Sequence, residues 1–201
     1  MRPGADQLVA RSVDGFTVGT PTAALLDGRD AMLAVAMNGE PLPISHGFPV
    51  RVVVPGLYGY VSATKWVIDM ELTTFAAYDA YWVVRGWAQQ APIKTESRID
   101  VPRGSVSPGQ RDIAGVAWAQ HTGIEAVEVQ IDDGAWTEAE LAPQDTTDTW
   151  RQWRLAWDAT PGDHRIAVRA TDRTGVVQTP TLAEPFPDGA TGYHTVSVAV
   201  R

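Results

Sequence analysis

MNGEPLPISHGFPVRVVVPGLYGYVSATKW, residues 37–66, decides how this chain is read. At its centre Val50–Val54 is an apolar run interrupted once, by Arg51, and bounded by Pro49 and Pro55-Gly56. Its length and β-branched content read as a buried strand. Three cations flank it: His46, Arg51 and Lys65. A charge next to a core strand costs free energy unless something pairs with it. Gly47 allows close backbone approach or positive φ, and Pro49 stiffens the approach to the strand. A second apolar strand, Trp66–Leu72, begins directly after Lys65. If the two strands pair, the three cations converge near one edge. An Arg fork and a Lys point charge together suit phosphate. Ser62 and Thr64 add hydroxyls, and Gly56 and Gly59 add accessible backbone N–H groups. Each charge-assisted hydrogen bond of this kind contributes about 1.5–3 kcal/mol. Spacing alone leaves a second reading open, in which these are ordinary strand-end cations facing water.

The surrounding composition narrows the classes of function. The chain has 201 residues, enough for one large domain or two small ones, each with a real core. A hydrophobic fraction of 44% and a charged fraction of 20% are ordinary for a globular protein. A net charge of −8 argues against a nucleic-acid partner, which needs a basic face, and leaves no polybasic patch for an anionic membrane. The count of zero cysteines removes disulfides, thiolate metal sites and cysteine nucleophiles from these residues. The first dozen residues lack the apolar core of a secretory signal, and no run approaches the length of a membrane span. Compartment is left undetermined.

Moving outward, Asp14-Gly15, Asp27-Gly28 and Asn38-Gly39 mark turns. Arg29–Met37 reads as a short helix or a buried strand, and Phe75–Ala88, rich in aromatics, as cover for a sheet edge or an interface. Residues 92–110, with three prolines and no apolar periodicity, read as a linker. Beyond it the period changes to two. Val127, Val129 and Ile131 alternate and lead into the turn Asp132-Asp133-Gly134; Leu155 and Trp157, Ile166 and Val168, and Val196, Val198 and Val200 also alternate. Such spacing predicts a β-sandwich of about seven strands. Trp150, Trp153 and Trp157 read as one aromatic cluster. His121, His164 and His194 share no evident site.

The wording of the motifs adds a resemblance. MNGEPLP (37–43), HGFPVRVVVPG (46–56) and KW (65–66) resemble the molybdenum-cofactor domain of the sulfite oxidase family. SRIDVPRG (97–104), IAGVAWA (113–119), VEVQIDDGAWTEAEL (127–141), WRQWRLAW (150–157) and GDHRIAVRATDRTGVVQ (162–178) resemble that family's C-terminal dimerisation domain, an immunoglobulin-like sandwich. The resemblance implies that His46, Arg51 and Lys65, with Ser62 as a further candidate, hold the phosphate and pterin of molybdopterin. Two departures accompany it. The family's molybdenum-ligating cysteine belongs upstream of residue 37, and this chain has none. A tyrosine of sulfite-oxidising members belongs shortly before Pro21, where this chain reads Phe16-Thr17-Val18-Gly19.

The expected fold is therefore α+β to mainly β. Residues 1–94 form part of a sulfite-oxidase-type molybdopterin-binding fold, and residues 95–201 an immunoglobulin-like β-sandwich. The expected function is that of a C-terminal portion of a molybdopterin-dependent oxidoreductase. It has no catalytic or metal-ligating residue of its own, is inactive alone, and forms a homodimer through the sandwich. The electron acceptor is left open. The alternative is a non-catalytic dimerisation module.

Overall fold

A computed structural model describes residues 4–201, which divide into two units: residues 4–93 with Phe186–Gly189, and residues 94–185 with 190–201. In the first unit, strands β1 (Gln7–Ser12) and β2 (Thr17–Pro21) form a hairpin around Asp14-Gly15. Strand β3 (Met32–Ala34) is followed by the two-residue strands β4 (Ala36–Met37) and β5 (Glu40–Pro41), which pair across the Asn38-Gly39 turn. Then come β6 (Arg51–Val53), the single helical turn α1 (Gly59–Ser62), β7 (Ala63–Thr64) and β8 (Val67–Thr73). They make two three-stranded sheets, β2-β1-β8 and β3-β6-β7. Val52, Val54, Leu57 and Val61 are buried together with Ala10, Ala24 and Ala91. The apolar centre of the quoted stretch is thus a core strand, as its composition requires.

Two expectations for this unit are corrected. Arg29–Met37 is neither a helix nor a buried strand. It is short extended chain, with Met32, Leu33, Val35 and Met37 between 46% and 61% exposed. Strand β6 does not pair with β8. It pairs with β3 and β7, while β8 pairs with β1, because Trp66 takes a φ of 51° and turns the chain between β7 and β8. The aromatic segment 75–88 runs along β2: Tyr81 N–H donates to the Thr17 carbonyl at 3.4 Å, and Phe16 meets Tyr81 edge-on at 5.2 Å.

The second unit is a sandwich of nine strands among the described residues. They are β9 (Glu96–Val101), β10 (Gly104–Val106), β11 (Gly109–Trp118), β12 (Ile124–Ile131), β13 (Thr137–Glu138), β14 (Glu140–Leu141), β15 (Arg151–Ala159), β16 (Gly162–Asp172) and β17 (His194–Val200). One sheet runs β10-β17-β16-β12-β13 and the other β14-β15-β11-β9. The alternating residues of both inner faces meet: Ile99, Ile113, Trp153 and Trp157 from one, Val127, Val129, Ile166, Val168 and Val198 from the other. Fully burying each aliphatic side chain stabilises by about 1.5–3 kcal/mol before entropy is counted.

Here too the structure corrects the reading. Residues 92–110 are not a linker, because they contain β9 and β10, one in each sheet. The sequence hides β9 because one of its two inward residues is Ser97, buried and donating to Gln178 Oε1 at 2.7 Å, beside Ile99. Trp150 leaves the predicted tryptophan cluster and is 54% exposed, while Trp153 and Trp157 are core. Their spacing of four keeps those two on one face of β15, whereas the spacing of three from Trp150 does not. Among the described residues no helix is long and apolar enough to cross a membrane.

Candidate anion cradle

Residues Ile44–His46 form a single 3₁₀ turn, closed by Gly47 at a φ of 108°. His46 N–H donates to the Pro43 carbonyl at 2.9 Å and Gly47 N–H to Ile44 at 3.1 Å. Gly47 is required for more than its φ. A Cβ there would lie 3.0 Å from Lys65 Cβ and 3.2 Å from Arg51 Cβ. The Arg51 and Lys65 side chains therefore both start against one glycine, next to exposed His46. The three predicted cations are brought together. The means is the β6–β7 pairing, Val52 opposite Thr64, which places Lys65 beside Arg51.

The cations hold main-chain oxygens. Lys65 Nζ donates to the Ser45 carbonyl at 2.8 Å, and an Arg51 terminal nitrogen donates to the His46 carbonyl at 3.3 Å. Trp66 Nε1 donates to the Ile44 carbonyl at 2.7 Å, and the Lys65 ammonium lies 5.4 Å from the Trp66 ring centre. Arg51 Nε is shut away from water without a hydrogen-bond acceptor. Such a buried donor costs about 1–3 kcal/mol. An oxyanion seated on the guanidinium would remove that cost, so the donor set fits a phosphate-bearing group.

Ser62 is placed differently. It is buried on α1, and its hydroxyl donates to the Leu57 carbonyl at 3.1 Å. The hydroxyl left without a partner belongs to Thr64, fully buried on β7 beside Arg51's strand. Nothing in the sequence separates these two hydroxyls, since their partners come from distant residues. A phenol does reach the tyrosine-free stretch 16–19, from another element: Tyr78 Oη donates to Thr17 Oγ1 at 3.3 Å. The three histidines of the sandwich stand apart. His121 faces Asp148 at 2.8 Å, His164 faces Asp132 at 2.6 Å, and His194 Nδ1 accepts from Ile99 N–H at 3.0 Å.

Residues 1–82 match the sequence model of a family described as oxidoreductase molybdopterin binding domain. The chain is 31% identical over 192 residues to mitochondrial sulfite oxidase of Mus musculus, an alignment covering 81% of this chain and 35% of the mouse protein. It is 49% identical over 59 residues to nitrate reductase [NADH] 1 of Oryza sativa subsp. japonica, covering 29% of this chain and 6% of that protein. Its fold is similar to the crystal structure of the sulfane dehydrogenase SoxCD from Paracoccus pantotrophus. The TM-score is 0.76 at 25% identity, over 100% of this chain and 58% of that one. The chain spans about a third of the length of the curated sulfite oxidases it matches, 35% for the mouse enzyme.

Proposed function

Because this chain belongs to the sulfite oxidase family of molybdopterin oxidoreductases, we propose that His46, Arg51 and Lys65 bind the phosphate-bearing part of molybdopterin. One observation carries this reading: the Arg51 Nε donor, buried without an acceptor, where Lys65 and Arg51 pack against Gly47 beside His46. Thr64, its hydroxyl unpartnered, is the better candidate than Ser62 for a further contact. When bound, the cofactor supplies two-electron redox with oxygen-atom exchange. The residues here neutralise the phosphate and fix its orientation. With no cysteine among 201 residues, these residues offer the metal no thiolate, and their part in this reading is to hold the phosphate end of the cofactor.

The sandwich serves in this reading as a homodimer surface. Supporting it is a shallow cavity of about 400 Å³ on the outer face of the β14-β15-β11-β9 sheet, floored by Ala114, Gly115 and Val116. Asp100 and the Glu140–Arg154 ion pair, 2.8 Å apart, rim it. Light scattering that finds only monomer at micromolar concentration would remove this part of the reading.

The test of the cofactor reading is pterin fluorescence and molybdenum content on the chain purified from a host that makes molybdopterin. Pterin is expected in the unsubstituted chain, with about a tenfold or greater loss in Arg51→Met, the order of one charged hydrogen bond. Equal pterin in both, or none in either, counts against it.

A further inference from the structure

Trp66 stands beside the cradle without a charge to offer, in a conformation a bulky side chain rarely adopts. Its φ of 51° lies in the left-handed region, where a Cβ crowds the backbone. A residue persists there only when its surroundings over-determine it. The surroundings of Trp66 are the cradle itself. Its main-chain N–H donates to the Gly47 carbonyl at 3.3 Å, and its indole N–H donates to the Ile44 carbonyl at 2.7 Å. One residue thus grips both ends of the 44–47 turn. Lys65, the residue before it, reaches Ser45 in the middle of the same turn and lies over the indole ring. An ordinary extended residue at 66 would continue β7 and put its side chain on the face opposite Lys65, since successive side chains of a strand alternate.

From this geometry we infer that Trp66 is a positioning residue for the cofactor phosphate. It fixes where the Lys65 ammonium and the His46 turn meet beside Arg51, and touches no phosphate itself. The inference rests on the molybdopterin reading above and assigns within it a residue whose chemistry alone would not suggest a role.

Two substitutions separate strain from grip. Trp66→Phe keeps a ring and removes the N–H. Trp66→Asn removes both but takes positive φ readily, so it relieves the backbone. Each is produced in a molybdopterin-making host with the unsubstituted chain, Lys65→Met and the Lys65→Met/Trp66→Phe double variant. Pterin fluorescence is scored per folded chain. Both Trp66 variants are expected to hold about fivefold to tenfold less pterin, the order of one lost hydrogen bond. The double variant should lose less than the product of its two single losses, because Trp66 acts through Lys65. Unchanged pterin in the folded Trp66 variants overturns the inference and leaves the molybdopterin reading standing. Losses that multiply fully also overturn it, because they show that Trp66 acts independently of Lys65. Pterin missing from the unsubstituted chain overturns the molybdopterin reading and the inference together.

Discussion

Glu96, His164 and His194 set how the sandwich responds to pH. Glu96 is half-buried and accepts a hydrogen bond from Gln178 Nε2 at 3.0 Å. Burial pushes its carboxyl up to about 7 from 4.5, against the pull of Lys94. Between those values the folded chain keeps a proton that the unfolded chain has released, so stability falls as pH rises through that interval. His164 points one ring nitrogen at Asp132 Oδ2, 2.6 Å away, and the other at the Thr160 carbonyl, 2.8 Å away. Only the imidazolium donates to both. The bond to Asp132, then that to Thr160, raises its pKa. A raised cation stabilises fully below the ordinary histidine range, and that contribution is lost as pH climbs through the folded value. Both groups act in one direction, whereas burial, with Arg103 and Arg98 nearby, holds His194 below its ordinary value, so that its contribution grows as pH rises. Urea unfolding from about pH 4.5 to 8 is expected to show Glu96 lowering stability by about 1–2 kcal/mol, His194 opposing it at the lower end, and a net fall above the ordinary histidine range. Glu96→Gln should flatten the lower part of that slope and His164→Gln the upper part. Variants whose pH profiles match the wild type would contradict the assignments.

At the scale of elements, the β9–β11 pair turns on one glycine. The register slips between Ala114 and Gly115, and a Cβ on Gly115 would lie 1.8 Å from the Arg98 carbonyl oxygen and 3.0 Å from Trp153. Backbone on one side and a buried indole on the other leave nothing to give way. Gly115→Ala is expected to destabilise the sandwich by about 3 kcal/mol or more, at the upper end of overpacking costs. The urea midpoint measures it, and a shift near zero would show that the bulge relaxes. The same kind of constraint governs the cradle, where Lys65 and Arg51 both pack against Gly47. In both places the glycine serves close approach between elements, which is why neither belongs to an obvious turn signal in the sequence.

Across the whole molecule the two units differ in how much apolar surface they bury. Sixteen buried residues form the core of the sandwich, among the described residues, against seven in the corresponding cluster of the first unit. The first unit also leaves Met32, Leu33, Val35, Met37, Ile68, Met70 and Leu72 at least 36% exposed. So many exposed large apolar side chains in one small unit lower the cost of local opening. Amides of β3, β6 and β8 are expected to exchange at least about a hundredfold faster than those of β11, β12 and β16. Equal protection in both units would refute the imbalance.

Periodicity carried most of the sandwich. Alternation at Val127, Val129 and Ile131, at Ile166 and Val168, and at Val196, Val198 and Val200 is local, and a two-sheet core follows from it directly. The motif wording around MNGEPLP and HGFPVR carried the family, because those residues are contiguous in the chain. Strand β9 escaped because its inward Ser97 is satisfied by Gln178, 81 residues away. Sequence determined that His46, Arg51 and Lys65 are cations beside a core strand. Tertiary structure decided that they share one glycine, that Arg51 Nε is left without an acceptor, and that Thr64 rather than Ser62 keeps a free hydroxyl. The division has a physical cause. Hydrophobic patterning acts over neighbouring residues and is written in their order, whereas hydrogen-bond satisfaction and close approach depend on partners that only the folded chain brings together.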